Sequence, residues 1–273
     1  MSQQNSGECT SFIHPVSVQG AELLVARNIT RKISAFHETY TICACAQAEG
    51  NWRYGSREFS VRDRGSMLME PGETHHTTSL RKPGDFKVLL ISPEIVIDAA
   101  KEIGLHMTPH LRRANSDDPK LFSAIYRFGD AVETGANPLE QQTLFAACVR
   151  TFLEHTEQRP PAPCGGNEHH AVTRIKHYLQ ERVTESVSLD DLVALTGISR
   201  FHLVHAFAKQ VGMPPHLYQI NLRIVRAKEL IKAGLSPIHI STDLGFSDQS
   251  HFTRHFKRVW GVTPGRYANA VRR

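Results

Sequence analysis

Two rhythms of apolar positions divide this chain of 273 residues. Within residues 17–90 the apolar side chains come in short runs, at 21–28, 35–47, 52–54, 57–61, 66–70 and 87–91, and these read as strands. Turn-forming clusters separate them at Glu49-Gly50-Asn51, Gly55-Ser56, Asp63-Arg64-Gly65, Pro71-Gly72 and Lys82-Pro83-Gly84. Short strands at this spacing predict a small sandwich or barrel. After Ser92-Pro93 the spacing changes to the three-and-four rhythm of helices. One helix covers 93–103 and ends near Gly104. Asp118-Pro119 starts a second, through Leu121, Ile125 and Phe128 towards Val132. Pro138 starts a third, with Leu144, Phe145, Cys148, Val149, Phe152 and Leu153 on its apolar face.

Residues 158–168 hold three prolines and two glycines, which sustain neither a helix nor a sheet ladder, and read as a linker. Beyond it one pattern occurs twice. The first copy is Gly197, Ser199, His202, Leu203, His205, Phe207, Gly212, Pro215, Tyr218. The second is Gly245, Ser247, His251, Phe252, Arg254, Phe256, Gly261, Pro264, Tyr267. The offset is 48 residues at the glycine and serine and 49 from the histidine onward. A repeat of this length is one supersecondary unit used twice.

Each copy reads as helix, tight turn, helix. Ser188 stands three residues before Asp191, a capping-box spacing, and Leu189, Leu192, Val193 and Leu195 follow as an apolar face. Gly197 ends that helix; Ser199 caps the next, which faces inward through Leu203, Ala206 and Phe207. In the second copy Ser236-Pro237 is a cap with proline at the first helical position. Ser247 is expected to cap the last long helix, with Phe252, Phe256 and Val259 inward. This is the helix-turn-helix plan. Between the copies, 215–233 reads as one helix of about 28 Å, close to the length of one turn of B-DNA. Such a strut could present both second helices to successive major grooves.

From about residue 172 to the end, the chain resembles the DNA-binding domain of AraC/XylS-type transcription regulators. The stretch GFSDQSHFTRHFKRVWGVTPGRY, residues 245–267, carries that family's signature almost position for position. The first copy matches less tightly: Val193 and Ala208 depart from the usual residues, as do Ser241 and Ala268 in the second. The resemblance implies an α+β chain: an N-terminal cupin-like barrel with following helices, then two helix-turn-helix units joined by a long helix. The expected division is 1–157, linker 158–168, and 169–273. Helices after the barrel often pair between subunits in such chains, so a homodimer is expected, with RNA polymerase as a candidate further partner.

Charge follows the same division. The net charge is +5, but residues 169–273 carry +8 and residues 1–168 carry −3. A basic third joined to an acidic remainder is the footprint of a nucleic-acid module carried by something else. No run of eighteen apolar residues and no basic-then-apolar leader occurs, so the expectation is a cytoplasmic protein without a membrane span. Five cysteines without a zinc-site spacing read as buried free thiols.

Double-stranded DNA is therefore the expected partner. Base contacts should come from the outer face at the start of each second helix: Arg200, Phe201, Val204 and His205, then Gln249, Ser250, His251 and Arg254. Arg254 can bond guanine bidentately and Gln249 adenine; Phe201 and Val204 suit thymine methyls. Lys209, Arg223, Lys257 and Arg258 are the expected phosphate contacts.

In the barrel, His37-Glu38-Thr39-Tyr40 opens an apolar strand, and residues 64–76, RGSMLMEPGETHH, follow about thirty residues later. Their order resembles the cupin-like domain of the same family. A barrel mouth can enclose a small-molecule effector, and Arg27, His37, Tyr40, Trp52, Tyr54, Glu70, His75 and His76 are the expected lining. His37, His75 and His76, with Glu38 or Glu73, could instead hold a transition metal. The His-x-His with following glutamate expected of a metal cupin is missing, so no cofactor is expected. No phosphate loop, H-E-x-x-H or nucleophile–base motif occurs, and the chain is not expected to be an enzyme. Three readings remain: an effector-responsive regulator, a metal-dependent cupin enzyme with a DNA module, and an effector-independent DNA-binding protein.

Overall fold

The structure is a computed structural model that describes residues 7–15, 18–55, 57–105, 108–158 and 167–271. Its N-terminal half is a two-sheet barrel. Strands β1 (Cys9–Ile13), β2 (Ala21–Ile29), β3 (Ser34–His37), β4 (Tyr40–Ala46), β5 (Glu49–Tyr54), β6 (Arg57–Val61), β7 (Ser66–Met69), β8 (Glu73–Lys82) and β9 (Gly84–Ile91) are followed by helix α1 (Pro93–Glu102). Next come β10 (Pro109–Leu111), β11 (Asn115–Ser116), α2 (Pro119–Glu133), α3 (Pro138–Leu153) and β12 (Thr156–Gln158). One sheet has the order β1-β2-β9-β4-β7-β11, the other β3-β8-β5-β6; β10 pairs with β12. Every pairing in the first two sheets is antiparallel.

The larger sheet is covered on both faces, which explains why β4 is apolar at consecutive positions. Tyr40, Ile42 and Ala44 join Leu89 and Ile91 of β9 and pack against Val96, Ile125, Phe128 and Phe152 of the three helices. The alternate residues Thr41 and Cys43, with Phe86, Val88 and Leu90, face the barrel interior. Proline starts all three helices, and Asp118 and Asn137 cap α2 and α3 through their side chains. Lys87 is the one β9 side chain that must carry charge into the helix layer; Asp130 and Glu133 (2.7 Å) neutralise it there.

The C-terminal part comprises α4 (Asn167–Glu181), α5 (Leu189–Thr196), α6 (Arg200–Val211), α7 (Pro215–Lys232), α8 (Pro237–Asp243), α9 (Gln249–Trp260) and α10 (Pro264–Val271). The repeat is realised as expected: α5-turn-α6 and α8-turn-α9, joined by an α7 of 18 residues. Ser188 and Asp191 form the reciprocal capping box, and Leu203, Phe207, Phe252 and Phe256 are all buried to 1 % exposure or less. Equivalent tyrosines, Tyr218 and Tyr267, fill equivalent places against Phe207 and Phe256.

Several expectations are corrected. The run 35–47 is two strands, because the chain crosses from one sheet to the other at Glu38-Thr39; His37 closes β3 rather than opening β4. The expected break at Glu49-Gly50-Asn51 lies inside β5, where a Cβ on Gly50 would stand 2.3 Å from the Ser79 carbonyl oxygen. Strands β1 and β8 and helices α4 and α10 have no counterpart in the sequence reading. The cap of α9 is Asp248, whose carboxylate accepts from the His251 N–H at 2.6 Å; Ser247 instead bonds Asp248 (3.1 Å). Gln158 belongs to β12 and Asn167 begins α4; residues 159–166 of the expected linker lie outside the described residues. Phe152, on the apolar face of α3, is fully buried against Tyr40.

The two halves are docked. The carboxyl-terminal ends of α6 and α9 both meet the barrel. Thr74 of β8 donates its hydroxyl to the Val211 carbonyl, and the ring of Trp260 lies 5.0 Å from that of His37 at the end of β3. Gly212 and Gly261, equivalent in the repeat, follow these residues with φ of 83° and 78°. Both are pressed against the barrel: a Cβ would meet Thr74 Oγ1 at 3.0 Å in one case and Arg31 Nη2 at 2.6 Å in the other. Glycine is favoured there by the left-handed backbone conformation, and a side chain would also have to displace these neighbours.

Candidate nucleic-acid interface and barrel cavity

Two regions carry the candidate chemistry. In the first, α6 and α9 have 12 residues each and are planted on the barrel by their last residues, so their first turns point away from it. The first two turns of these helices hold the expected base contacts. Arg200, His205, Gln249, Ser250 and Arg254 are exposed, and Val204 and His251 are partly exposed. The side chain of Phe201 lies outside the described residues. Arg200 donates through Nε to Asp190 Oδ1 at 2.7 Å; both are exposed, so this pair is weak enough to exchange for a stronger acceptor. His251 is fixed by Ser247 Oγ at 3.1 Å and by the ring of His255 at 4.6 Å. Burial, then His251 and the arginines Arg258 and Arg254, push the His255 imidazole down to about 4, so it stays neutral on a basic face.

Lys209, Lys257 and Arg258 are exposed along the same helices, where phosphate oxygens could reach them. Arg223 is placed differently. It donates to the carbonyls of Val183 (2.8 Å), Glu185 (2.8 Å) and Gly245 (2.5 Å). These bonds fasten α7 to the loop before α5 and to the turn between α8 and α9. Arg223, read from the sequence as a phosphate contact, is thereby held as a staple of the double unit.

The second region is a cavity between the two sheets, about 90 Å³ in volume. Of the eight residues expected to line it, His37, Trp52 and His75 do. The other five are directed elsewhere. Arg27 is on the outer surface, paired with Glu133. Tyr40 is one residue out of phase with the interior and donates to the Pro109 carbonyl at 2.7 Å. Tyr54 packs beside Trp52 and accepts from the Glu70 N–H at 3.0 Å; Glu70 itself takes the Leu111 N–H (2.7 Å) and His110 Nδ1 (3.0 Å). His76 alternates with His75 and lies towards Arg53 and Glu58. Among the described residues no three His, Cys, Asp or Glu side chains come together as a metal site.

The cavity also uses residues the sequence reading missed. Thr41, Cys43, Met67, Met69 and Thr77 were legible in principle, from strict alternation along β4, β7 and β8. Val259 and Trp260 of α9 were not, because they reach the cavity from the other half of the chain. Burial holds His75 near 4, helped by His76, and holds His37 well below the ordinary imidazole range, helped by His75 and Lys228.

A barrel docked on two helix-turn-helix units defines a two-domain DNA-binding protein, and comparison with known proteins agrees. A helix-turn-helix domain family matches residues 192–270. The transcriptional activator AarP of Providencia stuartii is 34% identical over 97 residues, covering 35% of this chain and 72% of AarP. The regulator YbfI of Bacillus subtilis is 28% identical over 218 residues, 79% of each chain. The fold matches that of an apo ToxT variant from Vibrio cholerae strain SCE256, with a TM-score of 0.53 at 13% identity, over 93% of this chain and 98% of that one. The chain belongs to the AraC/XylS-type transcriptional regulators and is a DNA-binding regulator of transcription.

Proposed function

We propose that this regulator responds to a small molecule held in the barrel cavity, and that occupancy of the cavity alters how α6 and α9 are presented to DNA. The observation that carries this reading is the shared wall: Trp260 and Val259 close a cavity otherwise built from the barrel. A ligand touching that wall has a different free energy in the docked and undocked arrangements, which is the physical requirement for a response. In this reading the barrel does no catalysis, the first turns of α6 and α9 read bases, and the protein works in the cytoplasm. No helix among the described residues is long and apolar enough to cross a membrane.

The outer face of α3, where Leu139 is 72% exposed beside Gln142, Thr143 and Ala146, is the surface we assign to a homodimer. Light scattering of the parent and of Leu139→Glu at micromolar concentration tests it; a monomeric parent ends the assignment. The regulatory reading is tested by genome-wide footprinting, followed by operator affinity measured across a metabolite panel. A ligand that shifts affinity supports it. Constant affinity across the panel would leave a constitutive DNA-binding protein.

A further inference from the structure

Both tryptophans of the chain line the cavity, Trp52 from β5 and Trp260 from the end of α9. They are 2% and 3% exposed, yet neither indole N–H has a hydrogen-bond partner. The Nδ1 atoms of His37 and His75 are likewise buried without a partner. Native interiors leave few such groups, and four around one cavity mark where a ligand's polar atoms would sit. The four rings also stand close together. His37 is 5.2 Å from His75 and 5.0 Å from Trp260, and Trp52 is 6.4 Å from His75.

Charge narrows the ligand further. Among the described residues Arg31 is the one charged side chain in the lining; it is a third exposed and lies 3.2 Å from Glu8. Lys228 stands 3.9 Å from the Trp260 ring, but Glu22 holds it. Both imidazoles are neutral at neutral pH because burial disfavours their charged form. Among the described residues the interior therefore offers hydrogen bonds and ring faces but no uncommitted cation. A carboxylate or phosphate would lose its hydration there without a counter-charge.

From this geometry we infer that the effector is an uncharged, flat ring compound with a carbonyl or hydroxyl oxygen on its rim, held between Trp52 and His75 of the barrel and Trp260 of α9. The inference rests on the effector reading above. Rim oxygens accept from the indole N–H groups, and the ring body fills the space between aromatic walls. Contact with Trp260 makes the ligand part of the joint between the domains.

Two ring compounds that differ in charge test it: chromone, which is neutral, and chromone-2-carboxylate, which is an anion at pH 7. The readout is quenching of tryptophan fluorescence in the full-length chain and in the single-tryptophan variants Trp52→Phe and Trp260→Phe. Chromone should bind saturably, quench in both variants, and bind at least about tenfold tighter than its carboxylate twin. Equal or tighter binding of the carboxylate would overturn the uncharged class while leaving the effector reading in place. Quenching confined to Trp52 would overturn the contact with α9. If neither compound binds folded protein up to about 1 mM, the proposed class and the cavity's role as a binding site both fall.

Discussion

The rings of His37 and Trp260 lie 5.0 Å apart and join the last residue of β3 to the last residue of α9. Around them Phe12 packs edge-on to Trp260 (5.8 Å) and Tyr267 (5.2 Å), and Lys228 covers the outer face of the indole. The barrel thus touches the second helix-turn-helix through the helix that carries its expected base contacts. The first unit is touched at the corresponding place, through Thr74 and Val211.

Glu22 is the ionic half of this joint. It is 7% exposed and pairs with both Lys228 and Lys232 of α7. Glu22→Gln leaves a buried ammonium without its counter-charge, which costs about 3–5 kcal/mol in comparable sites. The expected result is a loosened joint: red-shifted Trp260 emission in a Trp52→Phe background and faster proteolysis within 158–168. Unchanged emission and cleavage would show that apolar packing alone holds the halves together.

Arg223 and Lys257 should behave differently although both are basic residues of the DNA-binding half. Arg223→Ala removes three hydrogen bonds from a charged donor and should lower stability by something on the order of 3 kcal/mol. The salt dependence of DNA binding should not change. Lys257→Ala should leave the thermal midpoint alone and reduce the slope of log K against log salt by about 1. A reversed pattern would return Arg223 to the phosphate backbone.

Arg254 is exposed near the start of α9, with its guanidinium available for a base edge. Arg254→Ala is expected to weaken specific binding by about 1–3 kcal/mol and relax preference at one base position in a selection from random sequences. Equal loss on every sequence would make it a backbone contact.

Acid should destabilise the protein through its buried imidazoles. His75 and His255 titrate near 4 in the fold, and His37 well below its ordinary value, whereas an unfolded histidine titrates near 6.5. Between about 6.5 and about 4 the unfolded chain binds more protons, so stability falls as pH falls and is fully present above 6.5. For buried His75 the effect is about 1.4 kcal/mol per pKa unit. Glu38 and Glu73, raised mainly by burial, act in the opposite sense. Urea midpoints at pH 7 and pH 5 measure the balance. A midpoint that rises on acidification would mean that the carboxylates dominate.

The helical repeat was legible because everything that specifies it is local: a 3.6-residue apolar period, a cap at one end and a glycine in the left-handed region at the other. The barrel was legible only in outline. β8 reads Glu-Thr-His-His-Thr-Thr-Ser, a polar run whose alternation becomes visible once one knows that Thr77 and His75 face inward. The strands β3 and β4 merged in the reading because no glycine or proline marks the crossing at Glu38-Thr39. Tyr40 and His76 were misplaced by a single residue of phase, which in a strand exchanges interior for exterior. Val259 was read as ordinary helix core and Trp260 was not singled out, because nothing local in their sequence context reveals a neighbour more than two hundred residues away.

Gly212 and Gly261 set α6 and α9 on the barrel like two levers on one fulcrum. Each helix of 12 residues is about 18 Å long. A rocking of about 10° at the seated end would carry the far tip about 3 Å, close to the rise of one base step. A movement at the barrel rim no larger than a side-chain rotation would therefore displace both helix tips together by about one base step.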